Sequence, residues 1–216
     1  MLRQGRRTTT TPGEAAVIMG ICFGFPIVSS LDAVASGFPS HPFSNSGLIW
    51  VVGLEVVLAF AAVVVLWLRG FAVSTLMPAP TLKGSAQGIG IFFAAWIVAL
   101  ILVLPFSDQP EQPYVHMIED ARVTVPVVVL MAMVNGAFEE VFLLGFLVRG
   151  LRGFGLSMPL GVMLLVRVLY HLYQGPVGMV WVLGIGLVFG LYFIRTNLLW
   201  PPVFAHVLWD IVPFLG

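Results

Sequence analysis

The chain contains seven apolar segments, and few folds can accommodate them. A helix of about 20 apolar residues spans the hydrocarbon core of a bilayer. The first four segments reach this length, whereas the last three are marginal and need bending, local thinning of the bilayer or burial in a bundle. The segments are Glu14–Ser36, Gly47–Arg69, Ser85–Phe106, Val123–Arg149, Met158–Gln174, Gly178–Ile194 and Leu198–Phe214.

The composition excludes a soluble protein. Of the 216 residues, 59% are hydrophobic and only 9% are charged, whereas soluble domains carry about 25% charge. We therefore predict an all-α, polytopic membrane helix bundle with about seven transmembrane helices. It forms one domain over residues 14–216, with a cytoplasmic segment at residues 1–13. The net charge of zero leaves no electrostatic footprint for a nucleic acid.

Positive charge falls on alternate loops. The loops that lack it include a third loop with four acidic residues and Arg122 only at its edge. The positive-inside rule then predicts an integral protein of the cell membrane with a cytoplasmic N-terminus, seven crossings and a C-terminus outside. The positive residues that define these loops are Arg3, Arg6, Arg7, Arg69, Lys83, Arg149, Arg152 and Arg195.

Glu139 and Glu140 are adjacent residues within the fourth apolar segment. Carboxylates inside a membrane are costly, and they generally mark functional sites. Two neighbouring carboxylates in a low dielectric cannot both ionise cheaply, so the pair offers one proton acceptor and one proton carrier. We therefore predict that the functional site is built around this pair.

The last three segments contain further polar residues at helical spacing. Arg167 and His171 are separated by four residues, as are His206 and Asp210, and Asn135 precedes Glu139 by the same interval. At about 1.5 Å per residue, the carboxylates and imidazoles lie at roughly similar depths below the predicted cytoplasmic face. We expect them to converge on one hydrated cavity in a catalytic core at about residues 123–214. Glu55 lies deep in the second segment and has no assigned role.

These residues resemble the motifs of the CAAX prenyl endopeptidase and bacteriocin-immunity (CPBP) family of intramembrane proteases. That family carries Glu-Glu-x-x-x-Arg, then Phe-x-x-x-His, then His-x-x-x-Asn or Asp. Glu139 and Glu140 match the first motif, His171 matches the second, and His206 with Asp210 matches the third. The resemblance covers residues 136–211. Leu144 replaces the arginine of the first motif and Arg167 replaces the phenylalanine of the second, so we expect Arg167 to supply the missing positive charge.

The resemblance implies an endopeptidase that acts on a peptide or membrane-protein substrate. In this interpretation Glu139 is the general base and activates a water together with His171. His206 stabilises the oxyanion, Asp210 orients His206 or binds a metal, and Glu140 maintains the geometry. Arg167 and Asn135 are supporting residues.

The metal content and the alternative functions stay open from the sequence. Glu139, His171 and His206 form a set that suits a catalytic zinc ion, although we favour a metal-free, glutamate-dependent site over a metalloendopeptidase. Intramembrane acids and histidines also build the proton relays of transporters and channels. A third interpretation is a non-catalytic relative that binds a peptide without cutting it.

Overall fold

The chain folds into an all-α bundle, in agreement with the predicted fold class. The computed structural model describes residues 7–215, which contain eight α-helices. The helices are α1 (Pro12–Ala35), α2 (Asn45–Leu68), α3 (Leu82–Val103), α4 (Pro113–Glu119), α5 (Val125–Glu140), α6 (Ser157–Tyr170), α7 (Pro176–Thr196) and α8 (Trp200–Ile211). All seven predicted segments correspond to helices, and α4 is an addition within the acidic loop.

Within residues 7–215, five stretches are long and apolar enough to cross a membrane, and α6 and α8 are not among them. α6 has 14 residues and α8 has 12, so both are short, as their segments predicted. α7 has 21 residues, so its predicted marginal length is wrong. The five stretches are Pro12–Ala35, Asn45–Leu68, Leu82–Phe106, Val125–Val148 and Pro176–Thr196.

The first three helices begin at residues that cap them. The side chains of Thr11, Ser44 and Thr81 each accept a hydrogen bond from the backbone N–H three residues later. These caps satisfy N–H groups that have no partner inside the helix. The helix starts are therefore fixed by local sequence, independently of the packing of the bundle.

α8 lies against both α3 and α5, and small residues allow the close approach. A Cβ added at Gly88 of α3 would lie 2.9 Å from the carbonyl oxygen of Pro201. A Cβ added at Gly136 of α5 would lie 3.2 Å from the backbone nitrogen of Val207. Small residues at helix contacts are characteristic of bundles in membranes. The packing brings the polar face of α8 next to the end of α5.

The basic loops meet at one end of the bundle. The Arg7 N–H donates to Gly70, Arg149 donates to the carbonyl of Thr75, and Arg152 donates to the carbonyl of Phe193. The acidic loop lies at the opposite end, where Asn45 accepts a hydrogen bond from the Thr124 N–H. The charge distribution agrees with the predicted alternation of loops. Arg3 and Arg6 lie outside the described residues, and the cytoplasmic location of the basic end stays a prediction.

Candidate active site

The two glutamates lie where α5 changes its winding. Val125–Glu140 is a regular α-helix, and the next eight residues, Val141–Val148, form a π-helix. The π-helix is rare and often occurs at functional sites. Glu139 is 4% exposed and Glu140 is fully buried. The wider winding thus starts directly after a buried carboxylate pair.

Arg167 of α6 forms ion pairs with both glutamates. Its Nη2 lies 2.6 Å from Glu140 Oε1, and its Nη1 lies 3.5 Å from Glu139 Oε2. The side chain passes Gly186 of α7, where an added Cβ would lie 2.9 Å from Arg167 Cδ. Gly186 therefore leaves the space that the stem of Arg167 occupies. The positive charge of the site comes from α6, while Leu144 is buried in the π-helix.

Tyr170 contributes a second contact to Glu139. Its hydroxyl donates a hydrogen bond to Glu139 Oε2. The carbonyl of Tyr170 accepts a hydrogen bond from Ser30 Oγ of α1 at 2.8 Å, and the same Oγ accepts one from the Tyr173 N–H at 3.3 Å. Ser30 thereby holds the end of α6 in place. Sequence reasoning assigned no role to Tyr170, although its position three residues after Arg167 places it on the same helix face.

His206 and Asp210 of α8 join the same network. His206 Nδ1 lies 2.6 Å from Glu140 Oε1, and His206 Nε2 lies 3.7 Å from both Glu139 Oε2 and Asp210 Oδ1. Asn135 of α5 donates a hydrogen bond of 2.9 Å from Nδ2 to Asp210 Oδ2. Because an ionised carboxylate only accepts hydrogen bonds, Nδ1 is the protonated nitrogen of His206 in its bond to Glu140.

His171 lies apart from this network. Its Nδ1 is 2.9 Å from the carbonyl oxygen of Arg167. Because a carbonyl oxygen can only accept, Nδ1 is the donor, and Nε2 is the ring nitrogen left for another hydrogen bond. Between residues 7 and 215, no hydrogen bond or ion pair joins His171 to either glutamate. Six predicted site residues thus form one network, and the seventh is separate. The six are Asn135, Glu139, Glu140, Arg167, His206 and Asp210.

A cavity of about 360 Å³ connects His171 to the network, and we call it the acidic cavity. Its walls include Glu139, His171 and Asp210, together with Glu55 of α2. Glu55 is 8% exposed, and its Oε2 has no hydrogen-bond partner in the described part of the chain. The depth of Glu55 in an apolar segment was a signal for a functional role. The sequence alone gives no indication that α2 packs beside α5.

A second cavity, of about 400 Å³, lies on the other side of the site, and we call it the basic cavity. Arg167 and His206 line this cavity, whereas they do not line the acidic cavity. His171 and Asp210 line both. The site residues therefore stand between two cavities of different electrostatic character.

The arrangement does not fit the zinc set predicted from the sequence. The ligand atoms that lie within 4.8 Å of one another belong to Glu139, Glu140 and His206, so Glu140 takes the place of His171. Arg167 already pairs with both carboxylates, and its positive charge opposes that of a divalent cation at the same oxygens. These donors do not suit a cation while Arg167 remains in position.

The match with a protein-family model covers α5 to α8. Residues 121–212 match the family described as type II CAAX prenyl endopeptidase, Rce1-like. Over this segment, which is less than half of the 216 residues, the chain is similar to the Rce1-like family. The predicted resemblance to CAAX proteases is therefore confirmed, and neither a curated protein nor a solved structure matches the chain. The family indicates a CAAX-protease-like membrane endopeptidase.

The Rce1-like segment contains all seven site residues predicted from the sequence. Glu55 and Ser30 lie outside it, because α1, α2 and α3 precede residue 121. The helices outside the matched segment nevertheless contribute one carboxyl group to the acidic cavity and one support for the end of α6.

Proposed function

We propose that this protein is an intramembrane endopeptidase in which Glu139 activates a water for attack on a peptide bond. The observation that carries the proposal is the unequal use of the two Glu139 oxygens. Oε2 accepts from Tyr170 and faces Arg167, whereas Oε1 has no hydrogen-bond partner among the described residues. Because Glu139 also lines the acidic cavity, Oε1 is available to a water there.

In the proposed reaction, the water lies between Glu139 and His171. Glu139 accepts a proton as the water oxygen bonds to the carbonyl carbon of the peptide. The tetrahedral intermediate then collapses, the C–N bond breaks, and the proton passes from Glu139 to the departing amine. His171 orients the water through Nε2, because its Nδ1 is committed to the carbonyl of Arg167.

His206 is the proposed donor to the oxyanion. Its Nδ1 is held by Glu140 at 2.6 Å, so the ring presents Nε2 from a fixed direction. In the imidazolium form both ring nitrogens carry a proton, so Nε2 can donate while Nδ1 remains bound to Glu140. Donors that are positioned in advance contribute most where charge develops in the transition state. Asp210 lies 3.7 Å from Nε2 and is itself held by Asn135. Asp210 and Asn135 therefore act as positioning residues for His206.

We also propose that the reaction needs no metal and that the basic end of the bundle faces the cytoplasm. The substrate is then a peptide or membrane protein that reaches the acidic cavity from the cytoplasm or from the bilayer. A metal-free site predicts that a strong chelator leaves cleavage unchanged. Loss of cleavage with a chelator, followed by recovery with zinc, would contradict this proposal.

The function is tested with purified protein in liposomes and a library of internally quenched peptides. Wild type is compared with Glu139→Gln and with Asp32→Asn, which alters an exposed carboxyl outside both cavities. We expect Glu139→Gln to reduce kcat at least about a hundredfold, because the general base is lost, and Asp32→Asn to cleave normally. Proton flux that depends on Glu139 would favour a transporter, and peptide binding without cleavage would favour a non-catalytic relative.

A further inference from the structure

The wall of the acidic cavity has three carboxyl groups and no Lys or Arg among the described residues. The three carboxyl groups belong to Glu55, Glu139 and Asp210. Arg167 lies on the side of the basic cavity. His171, the one basic side chain of the wall, uses Nδ1 for the carbonyl of Arg167. An added positive group would therefore find at Glu55 an acceptor that has no cation beside it among the described residues.

Glu55 is the group in this wall that most needs a partner. Its side chain comes from α2 and its Oε2 is buried without a hydrogen bond among residues 7–215. By contrast, Asp210 accepts from Asn135, and Glu139 accepts from Tyr170. A buried carboxyl group without a partner loses its hydration and gains nothing in return. A ligand that supplies a positive donor removes this deficit.

The rest of the wall suits the stem and charge of a basic side chain. Aromatic rings from several helices and turns surround the cavity, among them Phe23, Trp50, Tyr114, Phe138 and Phe214. Aromatic faces attract Lys and Arg electrostatically and also pack against their methylene stems. A volume of about 360 Å³ accommodates such a side chain together with a water.

We propose that the acidic cavity binds a positively charged side chain of the substrate, a lysine or arginine adjacent to the scissile bond, and that Glu55 is its main partner. The proposal rests on the endopeptidase function proposed above. Glu55 and Glu139 line the same cavity, so a side chain bound at Glu55 belongs to a residue near the peptide bond that Glu139 attacks. Glu55 is thus a specificity-determining residue outside the Rce1-like segment.

The test uses two internally quenched peptides that differ only by lysine or norleucine next to the scissile bond of a library hit. Norleucine keeps the length of the side chain and removes the charge. We expect wild type to prefer the lysine peptide by about 10- to 100-fold in kcat/KM, the range for a hydrogen bond to a charged group. Glu55→Gln, which is nearly isosteric, should reduce this ratio towards one. Asp32→Asn should keep the full ratio.

Two results would overturn the cation site. One is a wild-type enzyme without preference for lysine, and the other is an equal loss for both peptides in Glu55→Gln, which would assign Glu55 to the chemistry or to folding. Binding to Glu139→Gln protein, measured by thermal shift with the lysine and norleucine peptides, separates this proposal from the function. Charge-dependent binding that Glu55→Gln abolishes, without any cleavage by wild type, would support the cation site and reject the endopeptidase.

Discussion

Glu14 and the Glu139–Glu140 pair both meet arginine inside the bundle, but their oxygens are satisfied differently. Arg7 donates to both oxygens of Glu14, at 2.5 and 2.7 Å, and Thr10 donates to Oε2 at 2.6 Å. Arg69 adds a contact of 3.4 Å to Oε1. The hydrogen bonds from Arg7 to Glu14, together with the charge of Glu14, raise the pKa of Arg7. Glu14 therefore has a donor at every oxygen.

At the end of α5 a single arginine serves two carboxylates. Arg167 and His206 both bind Oε1 of Glu140, and Glu140 Oε2 has no partner among the described residues. Glu139 Oε1 also lacks one. We call the group around Glu14 the saturated cluster and the group around the Glu139–Glu140 pair the unsaturated cluster. The saturated cluster joins the N-terminal segment to the loop after α2, whereas the unsaturated one keeps acceptor capacity facing a cavity.

Among the substitutions that we predict, removal of Arg167 should have the largest effect on stability and cleavage. In Arg167→Met, two buried carboxylates lose their compensating charge, and we expect a loss of about 3–5 kcal/mol in the free energy of unfolding. Cleavage should fall to background, because Glu139 loses the guanidinium that helps to hold its carboxylate in place. Unfolding in detergent and peptide cleavage measure the two effects. Stability and activity equal to wild type would show that Arg167 does not neutralise the pair.

The motif positions provide a control for the role of charge. In the double variant Leu144→Arg with Arg167→Phe, the arginine and the phenylalanine stand where the family motifs have them. We expect this variant to cleave better than Arg167→Phe alone, since the first motif then supplies the positive charge from its own helix. If the two variants are equally inactive while both remain folded, the position of the guanidinium matters as much as its charge.

The sequence predicted those features that follow from local pattern. Apolar length predicted the membrane bundle, and the alternation of the loops at Arg7, Arg69 and Arg149 with loops poor in Lys and Arg agrees with the two ends of the bundle. Helical spacing placed His206 and Asp210 on one helix face, and in the structure His206 Nε2 lies 3.7 Å from Asp210 Oδ1. The substitution of Leu144 and Arg167 within the motifs pointed to the ion pair between α6 and the glutamates.

The features that the sequence did not predict depend on which helices are neighbours. Glu55 reaches the site because α2 packs against α5, and no periodicity in either helix encodes that contact. Tyr170 lies in a sequence rich in aromatic residues, a pattern typical of a membrane interface, so its contact with Glu139 was not predicted. The sequence predicted similar depths for His171 and Glu139, but depth does not give the distance across the bundle. The predicted zinc set therefore included His171, which lines the acidic cavity but has no hydrogen bond or ion pair to either glutamate in the described part of the chain.

The saturated cluster provides the next prediction. Glu14→Gln removes the charge but keeps the shape, and Arg7 and Arg69 are 36% and 63% exposed, so water can solvate both. We expect a loss of about 1–2 kcal/mol in the free energy of unfolding, below that for a buried pair. The kcat of the folded protein should stay at the wild-type value. A loss of cleavage comparable to that of Glu139→Gln would mean that the two clusters are coupled.

The smallest effect that we predict tests how far the orientation of the Glu139 carboxylate depends on Tyr170. Tyr170→Phe removes the hydroxyl that donates to Glu139 Oε2, and one such bond contributes about 0.5–1.5 kcal/mol. We expect kcat to fall by about three- to tenfold, because Glu139 loses orientation but keeps Arg167 and its free oxygen. Tyr192→Phe is the matched control, since the buried hydroxyl of Tyr192 has no hydrogen-bond partner in the described chain. Equal rates for both variants would show that Arg167 alone fixes Glu139, and a loss as large as that of Glu139→Gln would make the tyrosine hydroxyl part of the chemistry.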